Sequence, residues 1–257
     1  SSYNHLLSSI NKLIQNNILH FDLKGTNILF DYDSKLPLII DFGLSSVIDL
    51  NNISNEQMKE IFYVFGPDYY IWPLEVHYMA YLINENSNPT EDDLTDIVKE
   101  FVDNNKGLIQ NFSPFFIKKY NQKCLNQLKY YNSFQTFEEI KNHIMNFWTT
   151  FDNYSLSIMY LKFIHFINTN GYSDNKFIIH FTELLLQNID PNPENRLDIS
   201  DTIQKFNGFL TQDIHVGIKV FRDLKKNFID EKKDIDKVLK LERKTGKIET
   251  LKIRKSL

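Results

Sequence analysis

Asp22, Lys24 and Asn27 fall within six positions of one another, and Asp41 follows the next apolar run, in the stretch LHFDLKGTNILFDYDSKLPLIIDFGLS (19–45). A carboxylate beside apolar segments is costly unless it is paired, so these groups need partners. Two carboxylates, an amide oxygen and an ammonium make a donor set suited to phosphoryl transfer. Hard cations such as Mg2+ take oxygen ligands, and the transfer needs a carboxylate that orients the attacking hydroxyl and accepts its proton. In that scheme Asp22 is the base, Asn27 and Asp41 are the metal ligands, and Lys24 neutralises the transferred phosphoryl group. The competing reading makes the same side chains caps of a loop.

The flanking elements can bring these residues together. From Tyr3 to Leu19, apolar residues at 6, 7, 10, 13, 14 and 18 recur at helical spacing, and NNIL ends the helix. NILF and LPLII are short runs separated by DYDSK, which reads as a hairpin with a polar turn. The hairpin would set DLKGTN beside DFG, with Gly43 giving the backbone freedom to turn away. A polar stretch follows to about Gln57, then an aromatic-rich segment broken at Gly66-Pro67 and Pro73. Between about Asn84 and Thr150 the pattern is helical, with Thr90 placed to cap an acidic first turn at Asp92 and Asp93. Tyr154–Ile167 is almost wholly apolar and reads as a buried helix. KFIIHFTELLLQNI reads as an amphipathic helix stopped by DPNPENR.

Composition allows one large or two small domains in 257 residues, with 21 Phe and 13 Tyr for a bulky core. The net charge of −4 is unevenly spread: residues 222–257 hold thirteen Lys/Arg against seven Asp/Glu, or +6, which leaves −10 on the rest. This basic stretch reads as a solvated helical face, with contact to nucleic acid, membrane phosphates or an acidic protein as alternatives. No apolar run approaches the ~18 residues of a membrane span. The single cysteine, Cys124, excludes an intrachain disulfide and a Cys-based metal site and fits a reducing compartment. Lying in a polar region, it is expected to be a neutral surface thiol. His77, His143, His165, His180 and His215 lack metal-ligand spacing and are expected in packing or surface roles.

HFDLKGTN, IIDFGLS, WPLEV, FDNYSLSIMYL and DPNPENR occur in this order. Together they resemble the eukaryotic-type protein kinases, most closely the divergent kinases of large DNA viruses, over residues 3–78 and 148–206. The resemblance implies a fold of α+β class, mostly α: a kinase-like C-terminal lobe over 1–221 with a small β-hairpin at the catalytic loop, followed by the basic tail 222–257. It implies ATP and Mg2+ as cofactors and a protein substrate. Asp22 and Lys24 take the catalytic positions, and Asn27 and Asp41 the metal and nucleotide positions. His20 matches the histidine that braces the loop. Glu75 and Arg196 match an ion pair behind the activation segment, and Asp152 matches a helix-start aspartate that bonds the catalytic-loop backbone. DLKGTN is closer to the Ser/Thr than to the Tyr kinases. The expected place is cytoplasmic, the host cytoplasm or the virion if the source is viral.

Several departures qualify the expectation. Phe21 replaces the arginine that normally pairs with a phosphorylated activation loop, and Phe cannot hold a phosphate. Activity should therefore not depend on activation-loop phosphorylation. GPDYYIWPLE carries no threonine where family members use one to align the substrate. About 79–147 reads as a helical insertion, either a partner-docking surface or extra core. No Gly-rich loop or strand lysine occurs in these residues, so the N-terminal lobe that holds ATP is expected to be absent from this chain. The alternative function is a catalytically impaired kinase-fold scaffold or virion-associated interaction protein. Nucleic acid is not the expected partner.

Overall fold

The computed structural model describes residues 2–170 and 176–212 (of 211 and 212 only the backbone), and the described residues up to Phe209 form one compact unit. The expected basic tail, 222–257, and His215 lie outside the described residues. Helix α1 (Ser2–Gln15) buries Tyr3, Leu6, Leu7 and Ile10, one stripe at helical spacing. It stops short of Leu19. Asn17 adopts left-handed backbone (φ 56°), which Asn tolerates, and Ile18–Leu19 becomes strand β1, paired antiparallel with β4 (Ser46–Val47). Two-residue strands leave no periodicity to read.

The hairpin is present. Strands β2 (Ile28–Asp31) and β3 (Leu36–Ile39) pair antiparallel from Ile28 opposite Ile39 to Asp31 opposite Leu36. The Asp31 carboxylate closes the turn by accepting the backbone N–H of Asp33 and Ser34 at 3.1 and 3.2 Å. The polar stretch beyond β4 holds helix α2 (Asn55–Ile61), started by Ser54, whose side chain accepts from the Gln57 N–H.

The remainder is helical: α3 (Leu74–Glu85), α4 (Glu91–Asn104), α5 (Lys106–Ile109), α6 (Pro114–Asn132), α7 (Phe137–Met145), α8 (Phe151–Thr169), α9 (Lys176–Asn188) and α10 (Ile199–Gln212). The Thr90 cap is a full capping box, with Asp93 bonding back to the Thr90 N–H. Helix α8 is the central post. Every residue from Phe151 to Ile158 is buried, and α1, α5 and α9 pack around it. The class is thus α+β and mostly α, with two small sheets among the described residues.

The region expected as an insertion is built into this core. Leu94, Val98 and Phe101 of α4, Leu108 of α5 and Leu128 of α6 are all buried. Asn111 Nδ2 donates to the α8 carbonyl of Leu161 at 2.8 Å, and Tyr120 Oη donates to Ile189 O at 2.8 Å. Cys124 corrects the sequence reading: it is fully buried. Its polar neighbours misled, because α6 turns residues 120, 124, 127, 128 and 131 inward as one helical stripe. Burial pushes its thiol well above the usual range. Among the described residues, no helix is long and apolar enough to cross a membrane.

Candidate functional site

Asp22 is the hub of the opening constellation. It lies in the loop between β1 and a 3-10 turn at Gly25–Asn27, and it is only 6% exposed. Lys24 Nζ donates to both carboxylate oxygens, at 3.0 Å to Oδ1 and 2.8 Å to Oδ2. Asn27 Nδ2 donates to Oδ2 at 2.8 Å and to the Asp22 carbonyl at 2.9 Å. The five-residue spacing works because the 3-10 turn folds Asn27 back over Asp22. Burial raises the Asp22 carboxyl, but the bonds from Lys24, Tyr69 and Asn27 outweigh it and hold the group below the ordinary carboxylate value. The bond to Asp22 in turn raises the Lys24 ammonium. Asp22 is therefore ionised and Lys24 protonated near neutrality.

Asp41 reaches this loop through the backbone. Ile40 N–H donates to Asn27 O at 2.9 Å, which sets Asp41 one residue beyond a direct link to Asn27. His20 ties the same two segments. Its Nδ1 accepts the Asp22 N–H at 3.3 Å and its Nε2 faces Ile40 O at 3.1 Å, so the proton belongs on Nε2. Its ring meets the Phe42 ring edge-on at 4.8 Å. The left-handed residue here is Asp41 (φ 63°), whereas Gly43 does not take that conformation. An added Cβ at 43 would lie 3.2 Å from Asp41 Oδ1, the free end of an exposed side chain that can give way.

Two oxygen donors remain open. Asn27 uses both amide protons on Asp22, and its Oδ1 accepts no hydrogen bond among the described residues. The exposed Asp41 carboxylate has one long bond, 3.4 Å from Gly43 N. Each is an oxygen of the kind a hard cation takes. Among the described residues, no three His, Cys, Asp or Glu gather into a closed metal cage.

Phe21, next to Asp22, is also left-handed (φ 67°), an outlier for a bulky residue that costs about 1–3 kcal/mol. Three bonds impose it. Asp152 at the start of α8 accepts the N–H of His20 at 2.8 Å and of Phe21 at 3.0 Å, and Trp72 Nε1 donates to Phe21 O. Burial raises the Asp152 carboxyl against the pull of these two amides. The Phe21 ring stacks on Trp72 at 4.8 Å and meets Phe62 edge-on at 5.8 Å. A cavity of about 220 Å³ beside it is lined by Glu60 and by no Lys or Arg.

Glu75 and Arg196 meet as a fully buried bidentate pair, Oε1 to Nη1 at 2.5 Å and Oε2 to Nη2 at 2.9 Å. Arg196 also donates to Asp190 O at 2.8 Å and Thr150 Oγ1 at 3.3 Å, and its guanidinium lies 5.2 Å from the Tyr154 ring centre. Burial would lower the guanidinium pKa, but Glu75 outweighs it and raises the pKa. Tyr131 and Cys124 of α6 lie in the electrostatic reach of the pair, so the helix read as an insertion walls it in.

Sequence reasoning did not find Tyr69. Its hydroxyl donates to Asp22 Oδ1 at 2.6 Å and lies 3.4 Å from Lys24 Nζ. Burial and then Asp22 push its phenol up to about 12. The only signal was indirect: GPDYY stands where a threonine was expected. Residues 20, 22, 24, 27 and 152 are thus bonded together, Asp41 joins them only through the backbone of Ile40, and 75 and 196 pair at the end of the segment that delivers Tyr69. No family model and no curated protein sequence matches the chain.

Proposed function

We propose that the chain carries the catalytic loop of a Ser/Thr-type protein kinase, with a fold like the C-terminal lobe of that family. It would transfer the γ-phosphoryl group of Mg-ATP to a protein hydroxyl. The observation that carries this reading is the ionised Asp22 bridged by Lys24 and Asn27, with open oxygens on Asn27 and Asp41. Asp22 would orient the acceptor hydroxyl and take its proton, and Lys24 would counter the charge building on the phosphoryl oxygens. Asn27 and Asp41 would hold Mg2+, which supplies charge neutralisation at the phosphates. His20 and Asp152 fix the loop backbone and act through it. The host cytoplasm or the virion stays the expected location if the source is viral.

Nucleotide binding tests the division of roles in the product of the complete reading frame. Mg2+-dependent ATP binding should weaken at least tenfold in Asp41→Ala and persist in Asp22→Asn. Equal binding by Asp41→Ala and the native protein, or binding indifferent to Mg2+, would contradict it. A second reading, an inactive scaffold that binds partners, is favoured by one observation: every Asp22 oxygen is already engaged by Lys24, Asn27 or Tyr69. The two readings part on phosphate transfer.

A further inference from the structure

We propose that Tyr69 is an intramolecular phosphoryl acceptor, a modification site that the chain presents to its own base; this rests on the kinase reading above. Lys24 and Asn27 come from the same short loop as Asp22, whereas the Tyr69 hydroxyl is delivered from 47 residues away to 2.6 Å from Oδ1. It has the chemistry the base acts on, an O–H donated to an ionised carboxylate within general-base reach. Asp22 can only accept, so the phenolic proton points at it, while the phenolic oxygen accepts from Lys24 Nζ at 3.4 Å and keeps a second lone pair.

The placement is braced. Tyr69 N–H donates to Gly66 O at 2.9 Å and Trp72 N–H to Tyr69 O at 3.2 Å, closing a turn around the residue. The Tyr69 ring packs edge-on against Trp72 at 4.9 Å, and Trp72 is itself bonded and stacked to Phe21, one residue before the base. Tyr69 is half-buried rather than enclosed. The raised phenol keeps its proton until the base takes it. An external acceptor must displace this hydroxyl to reach Oδ1, whereas Tyr69 needs no displacement.

The step balances with ATP as the only co-reactant. Tyr69 Oη attacks the γ-phosphorus and an Oη–P bond forms. The bond from that phosphorus to the β,γ-bridging oxygen breaks, ADP leaves with the electron pair, and the phenolic proton passes to Asp22.

The product of the complete reading frame, purified and treated with phosphatase, is incubated with Mg-ATP and dephosphorylated casein, and phosphate is mapped by peptide mass spectrometry. Tyr69 should acquire phosphate at a rate per molecule unchanged over tenfold dilution, and Asp22→Asn should slow this about 100-fold or more. Without nucleotide, the ζ-13C resonance of Tyr69, assigned by its loss in Tyr69→Phe, should shift in Asp22→Asn. Phosphate on casein or on other residues with Tyr69 unmodified overturns the proposal and leaves the kinase reading standing. A rate that falls with dilution, or a Tyr69 resonance indifferent to Asp22→Asn, also overturns it. No phosphate on any protein overturns both.

Discussion

His77 shows how one residue ties stability to pH. It is fully buried, with its ring between Trp72 and Phe101. Burial pushes its pKa down to about 4, partly offset by the backbone of Tyr69 and Trp72. The unfolded chain therefore binds a proton that the folded chain refuses. The stability from keeping His77 neutral is present above about pH 6.5 and is lost as pH falls toward 4, about 3 kcal/mol over the full range. Denaturant titrations of native protein and His77→Leu between pH 7 and 4 should show a flatter acid limb in the variant. Equal slopes would contradict the assignment. At this scale the sequence was legible where partners are local: Asp22, Lys24 and Asn27 meet within one loop turn. Tyr69 was not legible, because only the tertiary turn at 66–72 brings its hydroxyl across 47 positions.

Among the elements, the segment from Phe62 to Glu75 is held by its own side chains. Phe62 and Trp72 pack on Phe21, Trp72 Nε1 donates to Phe21 O, and Glu75 is locked to Arg196. Arg196→Met strands a buried carboxylate and should cost about 3–5 kcal/mol, lowering the melting temperature by ~10 °C. A drop under ~2 °C would show that the pair is not the lock described. Helix α6 forms part of that enclosure, so Cys124 should resist iodoacetamide in native protein and react fully once unfolded. Rapid native alkylation would mean α6 packs otherwise. The almost wholly apolar run of α8 and the Thr90 cap were readable in advance. The β1–β4 pair was too short, and α6 misled because its inward stripe is spaced among Lys, Asn and Gln.

For the molecule as a whole, the region read as an insertion is continuous with the core, since α4, α5 and α6 pack together and α5 packs on α8, whose Asp152 holds the loop. A 62–75 segment ordered by aromatic stacking should hold its place before any phosphate is added. Phosphatase-treated protein should already protect residues 62–73 from limited proteolysis. Cleavage only after phosphatase treatment would mean a phosphate orders the segment after all. The central claim, that Asp22 is a phosphoryl-transfer base served by Asn27 and Asp41, meets its most direct test in phosphate transfer from Mg-ATP. The measurement compares the native full-frame product with Asp22→Asn and Asp41→Ala, counting label on protein. The account predicts Mg2+-dependent incorporation that falls about 100-fold or more in each variant. Equal incorporation by all three proteins would contradict it.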